Sequence, residues 1–186
     1  MLPASDFPAS FAMSQQGSSD SGSSLEKTAT SYNLTTLTCT DWDNYFTGSG
    51  FGETAYSSAS VANHTLDQSY GQLVYQFSSS SAASHFLDGV RSLSGRCGSF
   101  TASGAGSADK VTMQAVTAQP VSGHQAFWID QTATVVGTSS KRNVLFALDG
   151  SDVLAITVSG VGTALPSDPA PSTLMAKLVA SIQSQK

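Results

Sequence analysis

The sequence predicts an α+β domain: an antiparallel sheet of about five to six strands with two long helices packed on one face. Three observations carry this. Apolar and polar residues alternate along 70–78 and on either side of Asp149-Gly150, the period of a half-buried strand. Two stretches, one after the serines at 78–81 and one closing the chain, space their apolar residues at i, i+3, i+4 and i+7, a single helical stripe. Short Gly-, Ser- and Pro-rich links separate these runs.

Taken in order, "MLPASDFPASF" carries Leu2, Phe7 and Phe11 between two prolines and reads as an extended segment docking on the core. The run 14–24, "SQQGSSDSGSS", is too polar to pack and reads as a flexible loop, so 1–31 is expected to be an N-terminal arm and 32–186 the domain. "TLTCTDWDNYFT" (36–47) offers Thr40 or Asp41 as N-cap of a short helix carrying Cys39 at its entry, broken by "GSGFG" (48–52). Residues 54–62 form a weak strand and 70–78 a stronger one. Ser79 or Ser80 then caps a helix whose stripe is Ala83, Phe86, Leu87 and Val90, with Cys97 where the chain leaves it. "TASGAGSAD" (101–109) is a loop, followed by strands near 110–118 and 124–136. Asp149-Gly150 is a type I′ hairpin pair between Val144, Phe146, Leu148 and Leu154, Ile156, Val158. After "LPSDPAP", Ser172 caps a last helix that buries Leu174, Met175, Leu178, Val179 and Ile182.

Composition narrows the setting. Of 186 residues 40% are hydrophobic, enough for a core, while only 11% are charged against the usual quarter or so. Ser, Thr, Gly and Gln fill the surface instead, as in exported envelope proteins. A net charge of −5 with scattered Lys and Arg excludes phosphate-neutralising nucleic-acid binding and attraction to anionic lipid headgroups. No apolar run reaches the roughly 18 residues of a membrane span. The opening residues have neither a basic n-region nor an apolar h-region; they read as a mature form with Met1 supplied for expression, so membrane association is expected only through a lipid anchor outside this chain.

Cys39 and Cys97 are the only cysteines, and neither has CxxC or metal-type spacing. Taken by themselves the residues allow a bridge, two buried thiols, or a reactive thiol beside Arg96. A bridge would close a loop of about 60 residues, worth roughly 4 kcal/mol in the chain-entropy model, and would place the protein in an oxidising compartment.

"SSAASHFLDGVRSLSGRC", "ALDGSDVLAITVSG" and "APSTLMAKLVASIQSQ" resemble, in order and pattern over about 32–186, the extracellular sensor domain of the mycobacterial serine/threonine kinase PknH, a type that also occurs as free-standing actinobacterial lipoproteins. The resemblance implies a sheet with helices on one side and, on the other, a cleft for an unidentified ligand. It also implies a Cys39–Cys97 disulfide, matching the first of the family's two. The hairpin at 144–161 lacks the cysteine pair that would form the second.

If both helices cover one face, the other is left bare and carries Gln72, Gln76, Trp128, Asp130, Thr132 and Asn143. Trp128, flanked by Phe127 and Ile129, is then either an apolar anchor for a ligand or a residue covered by the N-terminal arm, and the polar residues supply hydrogen bonds. No metal or cofactor is expected: His64, His85 and His124 have no second ligand at i+2 to i+4, and "GSGFG" lacks the strand–loop–helix setting of a phosphate loop. No GxSxG or SxxK motif marks a nucleophile. The expected function is an exported, envelope-associated, sensor-type ligand-binding domain without catalysis. A structural or protein–protein interaction lipoprotein is the alternative, and an envelope hydrolase with a dispersed site ranks behind it. The partner is an unknown small molecule or envelope component.

Overall fold

The computed structural model describes residues 1–20, 36–40, 51–104, 107–117, 120–135, 137–162 and 164–185. Eight strands form one antiparallel sheet: β1 (Ala12–Asp20), β2 (Ala55–Asn63), β3 (Gln68–Gln76), β4 (Ser99–Gly104), β5 (Ser107–Thr117), β6 (Ala126–Val135), β7 (Thr138–Asp149) and β8 (Asp152–Val161). Two helices complete it, α1 (Ser80–Arg96) and α2 (Pro171–Gln183). The spatial order is β1-β2-β3-β8-β7-β6-β5-β4. The chain lays down β1–β3 as a meander, crosses through α1 to the far edge, and winds back until β8 closes against β3.

The count exceeds the expected five to six because both edges were missed. Residues 14–20, expected to be flexible, belong to β1 and run antiparallel to β2, with Ser14 Oγ and Ser60 Oγ 2.8 Å apart. Part of the expected loop 101–109 pairs as β4 against β5. An edge strand is held by backbone hydrogen bonds on one side only and can be polar throughout, so neither shows a hydrophobic alternation.

The helices lie on opposite faces, not on one. Adjacent residues of a strand point to opposite sides, and here they divide cleanly. Phe127, Ile129, Val144, Phe146, Val153 and Ala155 pack with Phe86, Leu87, Val90 and Leu93 of α1. Leu145, Ala147, Leu154, Ile156 and Val158 pack with Leu174, Met175, Leu178 and Val179 of α2. The runs "VLFAL" and "VLAITV" are thus continuous rather than alternating, the mark of strands buried on both faces. The α2 face is also covered by the N-terminus: Leu2 and Phe7 are buried there, Phe7 and Phe11 lie 5.5 and 5.2 Å from the Tyr70 ring, and Lys177 Nζ holds Asp6 Oδ1 at 2.6 Å.

Local chemistry sets the element ends. Ser79 caps α1, its Oγ accepting from Ala82 N at 3.2 Å. The expected cap of α2, Ser172, lies inside the helix: Ala170 is the N-cap and Pro171 opens the first turn, where its missing N–H costs nothing. The β7–β8 turn is one residue later than expected. Asp149 pairs with Asp152, so Gly150 and Ser151 are central, and only Gly150 has positive φ (65°), the first-position glycine of a type II′ turn. Cys39 and Cys97 form the disulfide, fixing the 36–40 segment to the end of α1, where Arg96 Nη2 also donates to Leu37 O at 3.2 Å. Cys39 and Thr40 are helical; the rest of the expected short helix lies outside the described residues.

Candidate functional site

Parity does place the six expected site residues on one face, but it is the α2 face, which α2 and the N-terminus cover in part. Gln72 is 2% exposed. Its Oε1 accepts from Leu2 N at 2.7 Å and its Nε2 donates to Leu2 O at 2.9 Å, so its amide moors the N-terminus on the α2 face, and the residue meets the furrow on the other face only where it adjoins Gly71. Trp128 is half-buried against the α2-side core. Asp130 and Asn143 are register partners, and Thr132 lies beyond them opposite Lys141. Asp130 is exposed, although loss of some hydration raises its carboxyl above the usual range. Gln76 is exposed at the far end of β3, opposite Asp152. The sheet brings Trp128, Asp130, Thr132 and Asn143 together and leaves Gln72 and Gln76 apart from them.

The hollowed surface is the half of the α1 face beyond the helix, which no described element covers. Along each central strand the side chains of that face change character. On β3 they run Ser69, Gly71, then Leu73, Tyr75; on β8, Ser159, Thr157, then Ala155, Val153; on β7, Ser140, Arg142, then Val144, Phe146. Because the strands are in register, the polar ends line up. One row crosses Ser69, Ser159, Arg142 and Gln131; the next crosses Ser60, Gly71 and Thr157. The apolar half lies under α1, and no described element roofs the polar half.

This polar half is hollowed into two adjoining cavities of about 250 and 300 Å³ that share Arg142 and Ser159. Ser69 Oγ and Ser159 Oγ lie 2.6 Å apart, and Arg142 Nη1 reaches Gln131 Oε1 at 3.5 Å. Tyr56 closes one end; burial is the main cause that holds its phenol above the ordinary value, so it stays neutral. The floor is formed where Gly71 faces Thr157. A Cβ on Gly71 would sit 3.4 Å from Thr157 Cβ, so the glycine opens the hollow. Thr157 is 8% exposed, and its Oγ1 is buried with no hydrogen-bond partner among the described residues. A buried hydroxyl left in that state costs about 1–3 kcal/mol, which a ligand hydroxyl or oxyanion would offset.

Other chemistry lies elsewhere. His124 Nδ1 meets Leu148 O at 2.9 Å and stands 3.9 Å from Asp149 Oδ1, tying the β7–β8 hairpin to the strand entry. His64 and His85 are exposed. Among the described residues no group of three His, Cys, Asp or Glu is placed to hold a metal. No described helix is long and apolar enough to cross a membrane.

No protein-family model matches the chain, and no curated protein matches it in sequence. Solved structures do match. The extracellular domain of PknH from Mycobacterium tuberculosis is 14% identical over 97% of this chain and 93% of that one, with a TM-score of 0.62. A putative uncharacterized protein from Mycobacterium smegmatis, the Rv0999 ortholog, is 11% identical over 95% of this chain and 90% of that one, with a TM-score of 0.52. The chain therefore has the fold of the PknH extracellular domain.

Proposed function

We propose that the protein is an extracytoplasmic, sensor-type domain that binds a small ligand without transforming it, and that the ligand sits in the polar furrow between Tyr56 and Gln131. The observation that carries this is the Thr157 hydroxyl beneath Gly71, without a partner among the described residues, under a hollow of about 250 Å³ that adjoins one of about 300 Å³, together the size of a small-molecule site. The disulfide and the Ser/Thr-rich, charge-poor surface support an oxidising, extracytoplasmic setting. Binding rather than catalysis is supported by the lining itself: its serine hydroxyls meet each other, Ser69 with Ser159, rather than a base that activates them.

The test is native mass spectrometry of the chain purified from its own envelope, alongside Gly71→Leu. The backbone at Gly71 is not in the left-handed region and its Cβ position is an ordinary contact, so the variant keeps the fold while filling the hollow. A stoichiometric adduct on the parent that Gly71→Leu lacks is the expected result. A parent with no adduct, or an adduct that survives the substitution, overturns the assignment.

A further inference from the structure

We infer that the furrow's ligand is a polyhydroxylated molecule, a sugar or similar polyol, that carries an oxyanion, phosphate or carboxylate; this rests on the furrow being the ligand seat. The charge distribution points there first. The protein has 13 acidic against 8 basic residues, yet Arg142 lines both cavities and neither has an Asp or Glu in its lining. A concave site of one sign on a protein of the opposite net sign selects its ligand by charge, because low-dielectric walls focus the local field. Arg142 stands where the two cavities meet, half-buried at the end of the Ser69–Ser159 pair. Its planar guanidinium presents donors in a fork that matches carboxylate and phosphate oxygens, which a point charge does less well.

The other end of the furrow is neutral and rich in hydroxyl and amide groups: Ser60, Thr157, Ser159 and Gln15 around the Gly71 floor, with the Tyr56 ring at one side. Groups that both donate and accept suit a ligand bearing several hydroxyls, and Thr157 Oγ1, buried just under this floor without a partner among the described residues, is the polar atom such a ligand would satisfy once a side chain turns. The flat ring of Tyr56 offers an apolar surface for the C–H side of such a ligand. The arrangement thus has an anion end and a hydroxyl end within one hollow.

The experiment is amide chemical-shift titration of the whole chain with glucose 6-phosphate, glucuronate, glucose, glucosamine and inorganic phosphate. The amides of Gly71, Thr157, Ser159 and Arg142 should move with the first two, at affinities at least tenfold tighter than for glucose or for inorganic phosphate. Arg142→Gln should erase the advantage over glucose. If that variant does not fold, Arg142→Lys, which keeps the charge but loses the planar fork, should weaken both charged sugars severalfold and leave glucose unchanged. An oligosaccharide with a terminal phosphate, compared with the monosaccharide, tells a glycan end from a free solute, and tighter binding of either supports the assignment. Glucose or glucosamine binding as tightly as the charged sugars overturns it, as does inorganic phosphate matching glucose 6-phosphate, or no furrow amide moving with any probe. In those cases an envelope-derived adduct lost in Gly71→Leu would still leave the furrow as a binding seat for another ligand class, whereas its absence would remove both assignments.

Discussion

Thr157→Val isolates the central physical claim. Valine has nearly the shape of threonine and an equal preference for a pleated strand, so the substitution exchanges one buried oxygen for a methyl group and little else. Thr157 is 8% exposed, its neighbours across the sheet are Gly71 and Val144, and its Oγ1 has no partner among the described residues. Removing an unpaired buried hydroxyl recovers part of the roughly 1–3 kcal/mol such a group costs. We expect the ligand-free variant to be more stable by about 1 kcal/mol, which for a chain of this length raises Tm by about 2–4 °C. Urea unfolding should show a higher midpoint at unchanged m-value, so that the gain belongs to the native state. The same variant should bind its ligand less well, the trade expected where a strained polar group serves function. If Thr157→Val instead lowers stability by 1 kcal/mol or more, the hydroxyl is satisfied in solution and the furrow loses its marker.

Two further outcomes follow from the α2 face. Gln72→Ala removes both hydrogen bonds to Leu2 and should cost about 2–3 kcal/mol, counting roughly 1 per bond and the packing lost. Hydrogen exchange should then quicken at the amides of Asp6 and Phe7; unchanged protection would show the N-terminus is held by its apolar contacts alone. The tyrosines give a pH signature. Burial first, then the charge of Asp168, pushes Tyr70 up to about 12, and burial raises Tyr75 well above the ordinary value of about 10. The folded state therefore keeps phenolic protons that the unfolded state releases. Stability is intact below pH 10 and is lost as pH rises from about 10 through 12. Absorbance at about 295 nm should show part of the five tyrosines titrating late in buffer and all together near 10 in concentrated urea; joint titration near 10 in buffer would contradict the burial.

Most of the core was legible because a buried stripe has only one period. Ala83, Phe86, Leu87 and Val90 on α1 and Leu174, Met175, Leu178 and Val179 on α2 are all buried as their spacing required. The strands β7 and β8 are where alternation fails as a guide. Their runs 144–148 and 153–158 are apolar at nearly every position, and a strand of that kind needs cover on both faces. Reading them so would have sent the two helices to opposite sides, and would have put Gln72 and Trp128 under a roof from the start. The edge strands left no comparable trace, since Ser- and Gly-rich residues in a one-sided ladder look like any polar linker.

The furrow was hidden for a different reason. Parity along a strand says which face a side chain takes, but position along the strand says whether anything covers it, and only the second distinguishes Arg142 from Val144 or Thr157 from Ala155. The sheet's dimensions make an uncovered stretch hard to avoid. Eight strands at about 4.8 Å spacing span roughly 34 Å, and the 12 residues of β7 at about 3.4 Å each run roughly 40 Å. A helix of 17 residues is about 25 Å long and about 10–12 Å across, so α1 alone shields a minority of its face. On the α2 side the N-terminal residues extend the cover. On the α1 side Leu37, Cys39 and Phe51 extend the cover over the apolar half alone, and beyond it the strands turn to Ser, Thr, Gly, Gln and Arg. A sheet of five to six strands would still span roughly 19–24 Å, about twice the width of one helix; the uncovered rows lie on the central strands β3, β8 and β7, beyond the reach of α1 along the strands, and the two added edges only widen the face around them.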